Sequence, residues 1–427
     1  MGRVLGRLCV WRRWAQPTTT TLHHFVKREP VGLPTPPRLL NNQKLRTSER
    51  LFEHTTPSHM DHPTIAEDSK GGDPPSPEEL VVPDLPHEVV YLAPGPLLLS
   101  PSVRIALASQ MRAPRVPATR ALLGELLGRL PALVSETQPS AYARVAPFVG
   151  SGTTACEAMI LSCAPPGKVL VLSNGFFGER WATALQASPQ HTILHHAYGW
   201  AQPFREERVT QALARDADIG SLVVVHSETS TGRLNPLKSL VCAARKARPG
   251  LRVLVDAVSS IAVHAHTGPE APFLFDAARE GFPDAVAFAA NKGIRGPTGI
   301  SFVAVHADLS AAHADLSAPP ASSSSKVPLS LDVWGALAAV ERDGYSRFTP
   351  NLSAVHGVLA ALAELRPPLL SGDAFFKSSG LKEAFSDSPL PRSPFIVTAV
   401  TPSPAWPQAL EREMGVVVHP GKGVYAG

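Results

Sequence analysis

The chain has 427 residues, 44% of them hydrophobic and 18% charged, with a formal net charge of +4. That length holds a large domain and a smaller one with ample core, and the modest charge, gathered largely on the N-terminal arm, argues against a nucleic-acid surface. Four cysteines without CxxC pairing or ligand-like histidine spacing argue against a disulfide framework or a metal site, and no apolar run approaches the ~20 residues needed to span a bilayer.

Residues 1–30 read as an organellar transit peptide, mitochondrial rather than plastid, with a cytoplasmic protein as the alternative. Arg3, Arg7, Arg12, Arg13, Lys27 and Arg28 all precede the first acid, Glu29, and hydroxyls cluster at Thr18–Thr21. Residues 31–88 are rich in Pro, Ser, Asp and Glu and show no sustained periodicity, so they read as linker or disorder. Order is expected to begin near Val89, followed by a sharp turn at Ala93-Pro94-Gly95-Pro96 and a helix around Ser100–Met111 with Pro101 in its first turn.

From residue 148 onward short apolar runs alternate with longer helical stretches. The runs are Val169–Leu172, Leu222–Val225, Val253–Val255, Ala285–Ala289 and Ile300–Val305. Continuous Val/Leu strands separated by helices indicate an α/β domain with a mostly parallel sheet, buried on both faces. In such sheets ligands gather at the carboxyl ends of the strands, and the polar motifs of this chain lie there.

Gly150-Ser151-Gly152-Thr153 precedes the apolar segment Cys156–Cys163, expected to be a buried helix. Backbone N–H groups at such a start, with the Ser151 and Thr153 hydroxyls, suit a phosphate. The absence of G-x-x-x-x-G-K-[ST] and G-x-G-x-x-G disfavours a nucleotide, and a monophosphate cofactor fits better. Phe177, held between Gly175 and Gly178, can lie flat on a planar ring or pack in the core. His226-Ser227-Glu228-Thr229-Ser230 offers hydroxyls for a phenolic oxygen or a carboxylate, or forms a turn bonded to its own backbone. Asp256 closes one strand and Lys292 follows another inside Asn291-Lys292-Gly293. An amine and a buried carboxylate at strand mouths are what pyridoxal phosphate chemistry requires, and a structural Lys–Asp ion pair is the bland alternative.

Residues 307–328, rich in Ala, Pro and Ser, read as a flexible insertion. In residues 329–427 a helical stretch, Leu329–Ala363, is followed by expected strands at Ile396–Val400 and Val416–Val418 in a smaller α+β C-terminal domain.

In this order the motifs resemble those of the class V pyridoxal-phosphate aminotransferases, and within that family the 2-aminoethylphosphonate–pyruvate transaminases. Tyr91–Pro96, Leu329–Asp332, Arg347–Pro350 and His419–Lys422 extend the likeness from about residue 89 to the end of the sequence. The resemblance implies the fold type I architecture, with a seven-stranded mostly parallel sheet in residues 89–306. It implies pyridoxal 5'-phosphate as cofactor, with Lys292 as the lysine that condenses with its aldehyde and Asp256 bonded to the pyridine nitrogen. Phe177 would stack on the ring. Ser151, Gly152, Thr153 and Asn291 would hold the phosphate, aided by Thr349 of a second subunit in a homodimer, and Ser230 would lie near the phenolic oxygen or substrate. The implied reaction moves the amino group of 2-aminoethylphosphonate to pyruvate, a small-molecule amine donor and a 2-oxo acid. The family's closing Arg-Ile-Gly strand is not found before Gly427, so the C-terminal domain is expected to be incomplete. Two other readings stand: an alanine–glyoxylate or serine–pyruvate aminotransferase, and a catalytically inactive dimerising protein of the same fold.

Overall fold

The computed structural model describes residues 90–92, 94–109, 113–135, 138–263, 282–311, 327–365, 387–390 and 416–418. The transit-peptide, linker and Ile396–Val400 expectations lie outside the described residues.

Strand β1 (Val90–Leu92) begins the described chain. It is followed by helix α1 (Pro101–Leu107), whose start is set by Ser100: its hydroxyl accepts from Val103 N, and Pro101 fills the first turn where no donor is needed. The helix ends four residues short of the expected Met111. Helices α2 (Pro117–Arg129) and α3 (Pro131–Val134) then lead to strand β2 (Arg144–Val149).

The remainder of the large domain alternates. Helix α4 (Gly152–Cys163), strand β3 (Gly167–Ser173), helix α5 (Phe176–Ala184), strand β4 (His191–Ala197), helix α6 (Glu206–Arg215) and strand β5 (Ile219–Val225) follow in turn. The short pair β6 (Ser227–Glu228) and β7 (Arg233–Leu234) comes next, then helix α7 (Leu237–Ala247) and strands β8 (Arg252–Asp256), β9 (Ala285–Ala289) and β10 (Ile300–Val305). Residues 307–311, at the head of the expected flexible insertion, form helix α8 (Ala307–Ala311), and residues 312–326 lie outside the described residues. Helices α9 (Val333–Asp343) and α10 (Leu352–Ala363) make the expected helical stretch. Strand β11 (Val416–Val418) pairs in parallel with β1.

Seven strands form one sheet in the order β2-β10-β9-β8-β5-β3-β4, parallel throughout except β10, which runs antiparallel to both neighbours. Side chains alternate between faces along each strand, and the two cores divide by that parity. Leu170, Leu172, Leu222, Val224, Val253, Val255, Val286 and Phe288 join Leu126, Leu213, Leu240 and Val358 from the helices on one face. Val169, Val171, Val223, Val225, Leu254, Ala285 and Ala287 join Ala155, Met159 and Ile160 of α4 on the other. The small Ala285 and Ala287 let α4 approach closely, and at its start a Cβ on Gly152 would overlap the Val258 methyls. Because β2, β3, β5, β8 and β9 share one direction, their carboxyl ends lie along one edge, and Asp256 carries the same parity as Leu254, toward α4.

Candidate active site

Five chain segments meet at that edge around one cavity. Its wall includes Gly152, Thr153, Phe177, Asp256 and Lys292. The lysine and the carboxylate that the sequence placed 36 residues apart thus open onto one space, together with the candidate ring-stacking aromatic and two of the candidate phosphate ligands.

Lys292 lies in a tight loop after β9. Arg295 N donates to the Lys292 carbonyl at 2.8 Å and Gly296 N to that of Ala290 at 2.8 Å. Gly293 lies against the Ile261 carbonyl with no room for a Cβ, which fixes the loop on the turn that follows β8. The Lys292 Nζ donates to the Gly95 carbonyl at 2.8 Å. Gly95 is itself required: its φ of +116° is left-handed, and a Cβ there would overlap the lysine side chain. The Pro-Gly-Pro turn is therefore a lid against the lysine stem.

Asp256 is 6% exposed. Its Oδ2 accepts from the Trp181 indole N–H at 2.9 Å and its Oδ1 from Val258 N at 2.9 Å, and the Cys156 thiol bonds to it as well. Burial pushes its carboxyl above the usual carboxylate range, while these donors and the Arg180 charge pull the other way. The same burial, with Asp256 beside it, pushes the Cys156 thiol well up, so that cysteine stays a neutral donor.

Helix α5 supplies one wall. Phe177, Arg180 and Trp181 stand at i, i+3 and i+4, one helical face. Arg180 Nη1 donates to Thr153 Oγ1 at 3.3 Å, and its guanidinium lies 5.0 Å from the Phe177 ring centroid. No carboxylate pairs with Arg180 among the described residues. The wall therefore carries two cationic side chains, Arg180 and Lys292, against one carboxylate, and favours an anionic occupant.

Not every candidate residue reaches the wall. Ser230 does not line the cavity: its hydroxyl accepts from Phe176 N at 3.0 Å and donates to Glu228 at 2.6 Å. Ser227 and Thr229 line it instead. Ser151 is the exposed N-cap of α4 and makes no side-chain capping bond. Asn291 is half-buried behind the lysine, and Thr349 is exposed, with neither on this wall. Ser227 and Thr229 belong to the hydroxyl-rich motif read from the sequence, whereas Arg180, Trp181, Val258 and Ser259 were not singled out there. The helical spacing from Phe177 was the available signal for Arg180 and Trp181.

A larger hollow of about 700 Å³ lies between the 96–107 segment and α10. Its polar side chains are Thr298, Asn351 and Ser353, with no titratable group, so it offers no comparable chemistry.

Three comparisons bear on this arrangement. The family "Aminotransferase class-V" matches residues 148–365. The chain is 33% identical over 362 residues to the 2-aminoethylphosphonate–pyruvate transaminase of Rhizobium meliloti (strain 1021), covering 78% of this chain and 85% of that protein. It is 30% identical to the enzyme of that name from Pseudomonas fluorescens (strain Pf0-1), over 51% of this chain and 53% of that protein. Among solved structures, the alanine–glyoxylate aminotransferase from Nostoc sp. superposes with a TM-score of 0.64 over 81% of this chain and 89% of that one, at 22% identity, a likeness of fold.

Proposed function

Because the chain belongs to the class-V aminotransferase family and is a pyridoxal-phosphate-dependent transaminase, we propose that it moves the amino group of 2-aminoethylphosphonate to pyruvate. The observation that carries the reading is the opening of Lys292 and Asp256 onto one cavity beside the Phe177 ring. The activity in the relatives' names supports the phosphonate donor.

The residues present fit pyridoxal phosphate. The donor set of the cavity offers an amine, a carboxylate, an aromatic face and an anion-binding end. When bound, the cofactor supplies an electrophilic aldehyde and a pyridine ring that accepts electrons. In this reading the Lys292 amine holds the aldehyde carbon and, once released, carries a proton to and from the substrate carbon. Asp256 would face the ring nitrogen and, as a carboxylate, would favour a proton there. Phe177 orients the ring. Gly152, Thr153 and Arg180 hold the phosphate, with a bidentate-capable guanidinium adding charge to neutral donors. Thr229, rather than Ser230, is placed to meet the phenolic oxygen or the substrate.

A homodimer in which the partner copy adds its exposed 349 hydroxyl to the phosphate belongs to the same reading, as does mitochondrial delivery by residues 1–30. Light scattering of the purified chain tests the first, and residues 1–30 fused to a fluorescent reporter test the second. The central experiment titrates purified protein with pyridoxal phosphate, then screens amine donors against pyruvate and glyoxylate. Turnover of 2-aminoethylphosphonate with pyruvate is expected. Preference for alanine with glyoxylate moves the assignment to the alanine–glyoxylate enzymes, and cofactor binding without turnover of any donor overturns the activity.

A further inference from the structure

Helix α5 carries three groups of the cavity wall, yet its own cap residue contributes nothing. Gly175 has no side chain with which to cap, and the first backbone N–H groups of a helix need acceptors. They find them on another segment. Phe176 N donates to Ser230 Oγ at 3.0 Å, Phe177 N to Glu228 Oε1 at 3.4 Å and Gly178 N to Glu228 Oε2 at 3.2 Å. Ser230 adds its own N–H at 3.2 Å and its hydroxyl at 2.6 Å to Glu228 Oε1. Glu228 is 0% exposed and stands between two wall residues, Ser227 and Thr229. Glycine at 175 is what admits it, since a Cβ there would overlap the glutamate Cγ and Cδ. A carboxyl group is thus buried at the positive end of the helix, where its ionised form is favoured by the helix dipole.

We propose that Glu228 is a positioning residue of the active site: its charged carboxylate caps α5 from the neighbouring strand and thereby sets Phe177, Arg180 and Trp181 against the bound cofactor. The role rests on the pyridoxal-phosphate reading of the cavity and goes beyond it, because Glu228 does not line the space. Every group bonded to the carboxylate donates a hydrogen. A proton on Glu228 must displace one of those donors, and the first turn of α5 then loses part of its anchor. Burial pushes the Glu228 carboxyl up to about 7, with the hydroxyl and backbone donors pulling the other way, so the exchange falls within the working pH range. The other charged groups on the surrounding elements are Glu179 and Arg180 on α5 and Arg233 opposite Glu228 on β7, with Asp256 and Lys292 on the other walls.

The test is the affinity of the full chain for pyridoxal 5'-phosphate between pH 5.5 and 8.5, compared with Glu228→Gln and Ser230→Ala. The ratio of variant to wild-type Kd cancels the cofactor's own titration. For Glu228→Gln that ratio is expected to be about 10 at pH 8, the worth of one charge-assisted bond, and to fall toward one as wild type protonates below about 7. Ser230→Ala removes a donor that favours the charged form, so its wild-type-like affinity should decay at a higher pH. In cofactor-free protein the Gly178 amide shift should titrate with the same midpoint in wild type and not in Glu228→Gln. A Kd ratio of one at every pH, or one that is constant with pH, overturns the role and leaves the cavity reading intact. Should Glu228→Gln fail to fold, an unmoved profile in Ser230→Ala together with a Gly178 amide that does not titrate in wild type overturns it. Wild type that binds no pyridoxal phosphate overturns the cavity reading and this role together.

Discussion

Asp284 and Asp256 lie at opposite ends of the same sheet and are kept in opposite ways. Asp284 precedes β9 and accepts from Arg245 Nη2 at 2.7 Å and from Val253 N at 2.7 Å, in an ion pair whose side chains are 13% and 11% exposed. The Arg245 guanidinium also lies 4.7 Å from the Phe282 ring centroid. Its charge is balanced within the fold. Asp256, at the carboxyl end of β8, takes only an indole, a backbone amide and a thiol, and its carboxyl is pushed up by burial. A carboxylate paired within the fold is spent on stability. One held by neutral donors keeps its charge available for a cation that arrives with a ligand.

Substitutions should separate the two ends, and the largest effect belongs to the lysine. Lys292→Ala should lower kcat by ~10⁴-fold or more, beyond what a lost general acid/base alone accounts for, with thermal stability little changed. Activity within tenfold of wild type would remove the catalytic role. Asp256→Asn should follow, with kcat down about 10²–10³-fold, the range for loss of one electrostatic stabiliser, while pyridoxal phosphate still binds.

Asp284→Asn tests the other end of the comparison. It removes the buried carboxylate that Arg245 and Val253 N share, and the expected result is a lower melting temperature in folded protein whose kcat is preserved. If Asp256→Asn destabilises and Asp284→Asn slows turnover, the contrast is inverted. A smaller effect is expected at Arg180: Arg180→Gln should weaken pyridoxal phosphate binding ~10–100-fold, matching one or two hydrogen bonds to a charged group, and leave the affinity for unphosphorylated pyridoxal unchanged. Equal losses for both ligands would place the guanidinium away from the phosphate.

The smallest effect sharpens the comparison through pH. Glu228 has its carboxyl raised from 4.5 to about 7 in the folded chain. The folded state therefore holds that proton more tightly than the unfolded one. The stability it brings is full below about 4.5 and is lost as pH rises through about 7, an upper bound of about 3 kcal/mol. Differential melting of wild type and Glu228→Gln between pH 5 and 8 should show wild type gaining relative stability on acidification. A difference that does not vary with pH would contradict the raised value.

Much of the sheet was legible because of where its strands lie. Central strands are buried on both faces, so the parallel β3, β5, β8 and β9 and the antiparallel β10 appear as apolar runs. The edge strands β2 and β4 were not read, for the same physical reason in reverse. An edge tolerates Pro147, which lacks a ladder donor, and the exposed Thr192 and His195. Lys292, Asp256, Phe177, Gly152 and Thr153 were all found from their positions at strand mouths. Thr229 lines the cavity while the Ser230 hydroxyl turns to Glu228 and Phe176 N, a difference set by the turn after β6. Glu228 was read as a ligand group and proves to be the cap of a helix fifty residues earlier in the chain.

By itself, then, the sequence determined the class of fold and the family and singled out the amine and the acid that meet at the cavity, because apolar runs, glycine turns and side-chain chemistry are local properties. Only the tertiary structure decided which side chains face the cavity and which brace it from behind. That choice depends on strand parity, on the approach of α4 and α5 to the sheet edge, and on backbone donors of one segment finding acceptors on another, none of which is written in any single stretch of chain.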